Sequence, residues 1–191
     1  LTSKKAKAVQ LRLYETMDMV ADCVVGGIEV FKDWGTAIEA MAAVRLLHAS
    51  VRRRLLRKGW DVEKFGVPIN QADMSVTALS FSVNVIFGSE ALGCPFTPKE
   101  REAYVALWRL LSHHLGVLPV NNPHTSFKAA ASALESLAIH CISPSPSSAS
   151  HALTVLRSVA GTPPFNFTLE FHSAISHLMM GPPLASALEI S

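Results

Sequence analysis

The 191 residues carry a formal net charge of only +2, with 49% apolar and 17% charged side chains. A chain of this length is most simply one domain with a sizeable core, and it is greasier than average, so its interior can line an apolar pocket or part of its surface can face a membrane or missing segments. There is no basic stripe interleaved with aromatics, which excludes nucleic-acid binding as a principal role.

No apolar run reaches the roughly 20 residues of a membrane span, and no signal peptide is visible. Both statements concern these residues only. Leu1 opens a helix already under way, so an excerpt of a longer chain is expected, and an anchor could lie outside it. Cys23, Cys94 and Cys141 are odd in number and lack CxxC spacing, which argues against a disulfide framework and for a reducing compartment with buried free thiols.

No proline precedes Pro68, and prolines or glycines then separate most apolar-periodic segments. No convincing alternation or internal repeat is present, so the chain reads as an all-α single helical bundle over 1–191. The first helix is predicted from about Lys5 to Val25, stopping at Gly26-Gly27, with Leu13, Met17, Val20 and Val24 as one stripe. Arg12 and Thr16, four apart, share a neighbouring face.

The second helix is predicted from about Thr36 to Lys58, ending at Gly59. With His48 at zero on a helical wheel of about 100° per residue, Met41, Val44, Val51 and Leu55 fall within roughly 60° of it. Arg45 and Arg52 lie on one shoulder of this stripe, while Arg53 and Arg57 point away to solvent. One imidazole walled by aliphatics, with two guanidiniums at its edge, is what a haem asks for: a nitrogen ligand, a dry wall and cations for the propionates. The same pattern also describes a hydrogen-bonded core histidine. The basic run from Arg52 to Lys58 reads as a solvated face that complements the helix C-terminus.

Trp60 to Ile69 is predicted as a loop. Asn70 then caps a helix, apolar nearly all round, that runs to about Phe87 or Leu92 and is expected at the centre of the bundle. Thr77 and Ser80, its few polar interior groups, can hydrogen-bond a ligand or return to the backbone four residues earlier. Thr97-Pro98-Lys99-Glu100 is a capping box with proline at the first helical position. It opens a helix with Tyr104, Leu107, Trp108, Leu111 and Leu115 on one face, ending at Gly116. Further helices are predicted at about 125–142, 148–160, 165–180 and 183–190, with Ser143 to Ser150 as a flexible connection.

Eight histidines raise the question of zinc, but no HExxH, CxxC or carboxylate–histidine motif is present. There is no GxSxG elbow for a serine hydrolase and no GxxxxGK phosphate loop.

His48-Ala49-Ser50-Val51-Arg52, then Trp60, Gly66-Val67-Pro68-Ile69-Asn70-Gln71-Ala72-Asp73 and Thr77 recur in an order that resembles the mpaB/rubber oxygenase (latex-clearing protein) catalytic domain family, in a fungal-type member. Glu102 to Arg109, Leu115-Gly116-Val117 and Met179-Met180-Gly181-Pro182-Pro183-Leu184 fit the same family. The resemblance implies globin-like packing around a haem pocket and an enzyme: a haem b-dependent oxygenase that cleaves a C=C bond of a hydrophobic, isoprenoid substrate with O2. It makes His48 the axial iron ligand. Arg12 and Thr16 become catalytic residues on the oxygen-binding side, with Glu15 where latex-clearing proteins carry a lysine. Arg45, Arg52 and Thr77 are the expected cofactor-binding residues. The implied partners are a small-molecule or polyprenyl substrate and O2, and the implied location is intracellular, with ER-membrane association through segments outside this stretch. The alternative is a non-catalytic helical haem- or lipid-binding module of the same fold. A greasy pocket does not distinguish polyprenyl chains, terpenoids, sterols and fatty acyl groups.

Overall fold

The computed structural model describes residues 3–32 and 35–190. It is all-α, with no strand among the described residues. The helices are α1 (Ser3–Val25), α2 (Thr36–Arg57), α3 (Val62–Phe65), α4 (Gln71–Phe81), α5 (Val83–Ala91), α6 (Pro98–Leu115), α7 (Phe127–His140), α8 (Pro146–Val159), α9 (Leu169–Met180) and α10 (Pro182–Ala187). The chain divides into one unit of Met19–Cys141 and another of Leu1–Asp18 with Ile142–Ser191.

In the Met19–Cys141 unit, α2 and α6 pack together over a cluster of Cys23, Ala37, Met41, Ala78, Trp108 and Leu111. The Phe81 ring stacks on the Trp108 indole at 5.7 Å. A second cluster joins α4, α5, α6 and α7 through Leu79, Val83, Ile86, Val105 and Ala130. Both clusters are apolar surface withdrawn from water, worth about 25 cal/mol per Å². The face of α6 expected from its spacing is the one that packs. In α1 the buried side chain is Cys23, flanked by half-buried Met19 and Val20, whereas Met17 and Val24 of the expected stripe are exposed.

The local signals for helix ends hold. Asn70 with Asp73 and Thr97 with Glu100 form full capping boxes, and Gly116 ends α6 in the left-handed region at φ 103°. Three expectations change. The Trp60–Ile69 loop contains one helical turn, α3, because the Asp61 carboxylate accepts from Lys64 N and Gly66 stops the turn at φ 72°. The long central helix is broken at Ser82 into α4 and α5, and Val76, Val85 and Phe87 are exposed, so it is not buried all round. The serine-rich Ser143–Ser150 connection is half helical: Ser145 and Ser148 form a capping box and α8 starts at Pro146.

In the second unit α8 packs on α9, and α9 on α10. Small side chains, Ala149, Ser158, Ser173 and Ala185, are buried there. The thiols are free, but only Cys23 is buried; Cys94 and Cys141 sit at exposed helix ends.

Candidate functional site

His48 lies in the fourth turn of α2, on the face that begins with buried Ala37 and Met41 and continues through half-buried Val44, Val51 and Leu55. Leu46 and Leu47, off that face, are exposed. The side chain of His48 is half-buried, and its Nδ1 is buried with no hydrogen-bond partner among the described residues. Burial, and secondarily the charge of Arg52 one turn on, hold its pKa below the ordinary histidine value. A core histidine normally spends its ring nitrogens on hydrogen bonds. His48 offers an imidazole with an unspent buried nitrogen, a donor type that would suit a haem iron.

The residues around it fasten backbone. Arg52 Nε donates to Pro68 O at 3.0 Å, and its Nη2 donates to Ile69 O. This clamps the loop after α3 to α2 at a residue, Ile69, that sits in the left-handed region at φ 54°. For a β-branched residue that conformation costs on the order of 1–3 kcal/mol, so the clamp sustains strain. Trp60 Nε1 closes the same loop onto Gly66 O at 2.9 Å. Gln71 spans to the end of α6, donating from Nε2 to Gly116 O and accepting from Leu118 N at Oε1. Arg45 lies over Gly116, whose missing Cβ would come 3.3 Å from Arg45 Nε. That places a cation at the negative end of the α6 dipole, and with His113 it holds the His114 pKa low, after burial. Neither Arg45 nor Arg52 is paired with a carboxylate among the described residues.

Thr77 is exposed and donates to Asp73 O at 2.8 Å, the ordinary return to the backbone. Arg12 is exposed, and the Thr16 hydroxyl donates to Arg12 O at 2.8 Å. Both belong to the Leu1–Asp18 segment of the other unit. His48, Arg45 and Arg52 are therefore brought onto one face, and Thr77 stands on α4. No cluster of three or more His, Cys, Asp or Glu that could hold a metal occurs among the described residues.

Sequence reasoning missed a second polar group. His124 is buried between Ser82 and Asn122. Asn122 is oriented by its Nδ2 donating to Arg109 O and its Oδ1 accepting from His124 N. His124 Nδ1, 3.1 Å from that Oδ1, therefore carries the proton, and Nε2 faces the Ser82 hydroxyl at 2.7 Å. Ser82 is the α4–α5 break, so His124 pins the kink. Burial pushes its pKa down to about 4, against a smaller opposing effect of the Ala78 carbonyl. This constellation resembles a hydrolytic triad only in residue types; Ser82 is 0% exposed and no substrate reaches it.

Comparison with known proteins matches residues 3–191 to the catalytic domain described as ER-bound oxygenase mpaB/B'/Rubber oxygenase. Among curated proteins, a rubber oxygenase of Streptomyces sp. (strain K30) is 30% identical over 96 residues, 49% of this chain and 24% of that protein. The chain thus spans about a quarter of the length of that relative in the aligned part. No solved structure matches. The family match over almost every residue, on a helical frame that leaves His48 uncommitted, places the chain in the mpaB/rubber oxygenase catalytic domain family.

Proposed function

We propose that the chain is the core of a haem b-dependent oxygenase that cleaves a C=C bond of a hydrophobic, isoprenoid substrate with O2. The observation that carries the reading is the unpartnered, buried Nδ1 of His48 on an apolar helix face, in a chain of this family. Haem, when bound, supplies the activation of O2. His48 would hold it through an imidazole whose pKa burial, and secondarily Arg52, lower from the ordinary histidine value. Arg45 and Arg52 supply uncompensated positive charge at the edge of the same face for the propionates, Arg52 while keeping its grip on the loop carbonyls. Thr77, on α4, is assigned to the cofactor with them, its hydroxyl oxygen retaining acceptor capacity. Arg12 and Thr16 are assigned to orienting O2 and substrate, with Thr16 fixed by its bond to the Arg12 carbonyl.

The family description names an ER-bound enzyme. No helix among the described residues is long and apolar enough to cross a membrane. Intracellular, ER-associated placement is the reading adopted for the natural protein.

The test is an absorption spectrum of the chain titrated with haem, oxidised and then reduced with dithionite. The expected result is a Soret band that shifts on reduction and again under carbon monoxide, and that is lost in His48→Ala while far-UV circular dichroism is unchanged. An identical band in His48→Ala would remove the axial assignment.

A further inference from the structure

The outward side of α2 carries four cations in six residues, Arg53, Arg54, Arg57 and Lys58, and all are exposed. From Arg45 to Lys64 there are seven cations and two acids, Asp61 and Glu63, so this short stretch is net +5 in a chain whose total is +2. Asp61 is spent capping α3. None of the four outward cations is paired with a carboxylate among the described residues. Together with Leu46 they outline a shallow groove of about 670 Å³ on the side of α2 away from His48.

Apolar side chains interrupt this charge. Leu46 is 72% exposed on this side, Leu56 and Leu47 are exposed on its two flanks, and Trp60 and Phe65 are exposed in the segment that follows α2. Single exposed leucines are ordinary, but Leu46 set among four uncompensated cations, with Leu47 and Leu56 at the two edges, makes a mixed surface. Helix C-terminus compensation accounts for Arg54 and Arg57 and leaves the leucines unexplained.

The geometry points to a docking surface for a bilayer rich in anionic phospholipid. Arginine and lysine stems lie along apolar surface while their heads reach the phosphates. Leu46, with Leu56 at the edge of the same side, enters the boundary between headgroups and acyl chains, as on helices that lie in a membrane interface. Charge complementarity supplies the attraction, and the aliphatic side chains select a bilayer over a nucleic acid, whose backbone has no use for them.

The test is co-sedimentation of the 191-residue chain with vesicles of phosphatidylcholine alone and of phosphatidylcholine mixed with phosphatidylserine, without haem. Binding is expected only to the mixed vesicles and weakens as salt is raised. Each cation contributes roughly fivefold in partition, so Arg53→Glu with Arg57→Glu should weaken binding at least ~25-fold. Arg157→Glu, an exposed cation on α8, should leave binding unchanged, and Leu46→Ser with Leu56→Ser should weaken it at constant charge. Equal binding to both vesicle types, an unchanged Arg53→Glu/Arg57→Glu variant, or an equal loss in Arg157→Glu would overturn the proposal. Insensitivity to the leucine changes, with matching affinity for duplex DNA, would also overturn it and leave a general polyanion patch. Because the surface faces away from His48 and is read without haem, its failure leaves the reading of His48 intact.

Discussion

His124 ties stability to pH, and its sign and size follow from its burial. The folded pKa of about 4 lies below the ordinary value of 6.5, so between those limits the unfolded chain binds a proton that the folded chain refuses. Stability from this group is complete above about pH 6.5, falls as pH drops through the window, and levels off below about 4. At 1.36 kcal/mol per unit, the whole window is worth about 3 kcal/mol, and the step from pH 7 to pH 5 about 2 kcal/mol. The charged form keeps its hydrogen bonds, since Nε2–H can donate to Ser82 Oγ while that hydroxyl turns to Ala78 O at 2.8 Å. The cost is therefore desolvation, not a broken bond. The assay is urea unfolding of the helical circular dichroism signal at pH 7 and pH 5, in the wild type and in His124→Gln, which keeps a polar atom toward Ser82 but does not titrate. With a slope of about 2 kcal/mol per molar urea, the wild-type midpoint should fall by about 1 M more than the variant's. His48 and His114 also have lowered values and are common to both proteins, so they cancel. Equal pH dependence in the two proteins would refute the argument that burial of His124 sets the shift.

Other outcomes follow from the same contacts. Met41→Ala, at a side chain with no exposure, should cost about 2–5 kcal/mol in denaturant unfolding. Arg52→Lys cannot reproduce a two-pronged grip on Pro68 and Ile69, so the Trp60 loop should show faster hydrogen exchange at its amides while α6 is unchanged. Gln71→Glu keeps an acceptor for Leu118 N but sets a carboxylate against the Gly116 carbonyl; thermal denaturation at neutral pH should show a loss of about 1–3 kcal/mol, recovered in part on acidification. Gly116→Ala forces a side chain into φ 103° beneath Arg45 and should lower the melting temperature, where Ala106→Gly on the same helix costs only about 1 kcal/mol.

What could be read from the sequence was local. Capping boxes at Asn70 and Thr97, and glycines at 59 and 116, mark helix ends within a residue or two because each cap is built from neighbours in the chain. The His48 face was legible because periodicity alone decides which residues share a helix side. The break at Ser82 was not, because the side chain bonded to it, His124, lies 42 residues away. Nor was the grip of Arg52, whose partners are main-chain oxygens 16 and 17 residues on, leaving no trace in side-chain identity. Thr77 bonds its own helix, the commoner of the two options its sequence position allowed. The exposed thiols and the exposed valines of α4 and α5 show that composition predicts how much apolar surface must be covered, but not which side chains are left over.

The fastenings around α4 and α6 share a grammar. Arg52, Gln71, Ser75 and Asn122 each reach across to peptide oxygens, those of Pro68, Ile69, Gly116, Asn121 and Arg109. Every residue type presents the same carbonyl, so accepting positions in ordinary backbone, such as Asn121 and Arg109, are free to drift in identity while the donors are not; Gly116, at φ 103°, is held by its backbone and not by its bond. Tolerance to substitution should therefore be one-sided. A saturation scan would find Asn121 and Arg109 permissive as acceptors, and Gln71, Asn122 and Arg52 intolerant, although both ends of each bond lie equally close in space.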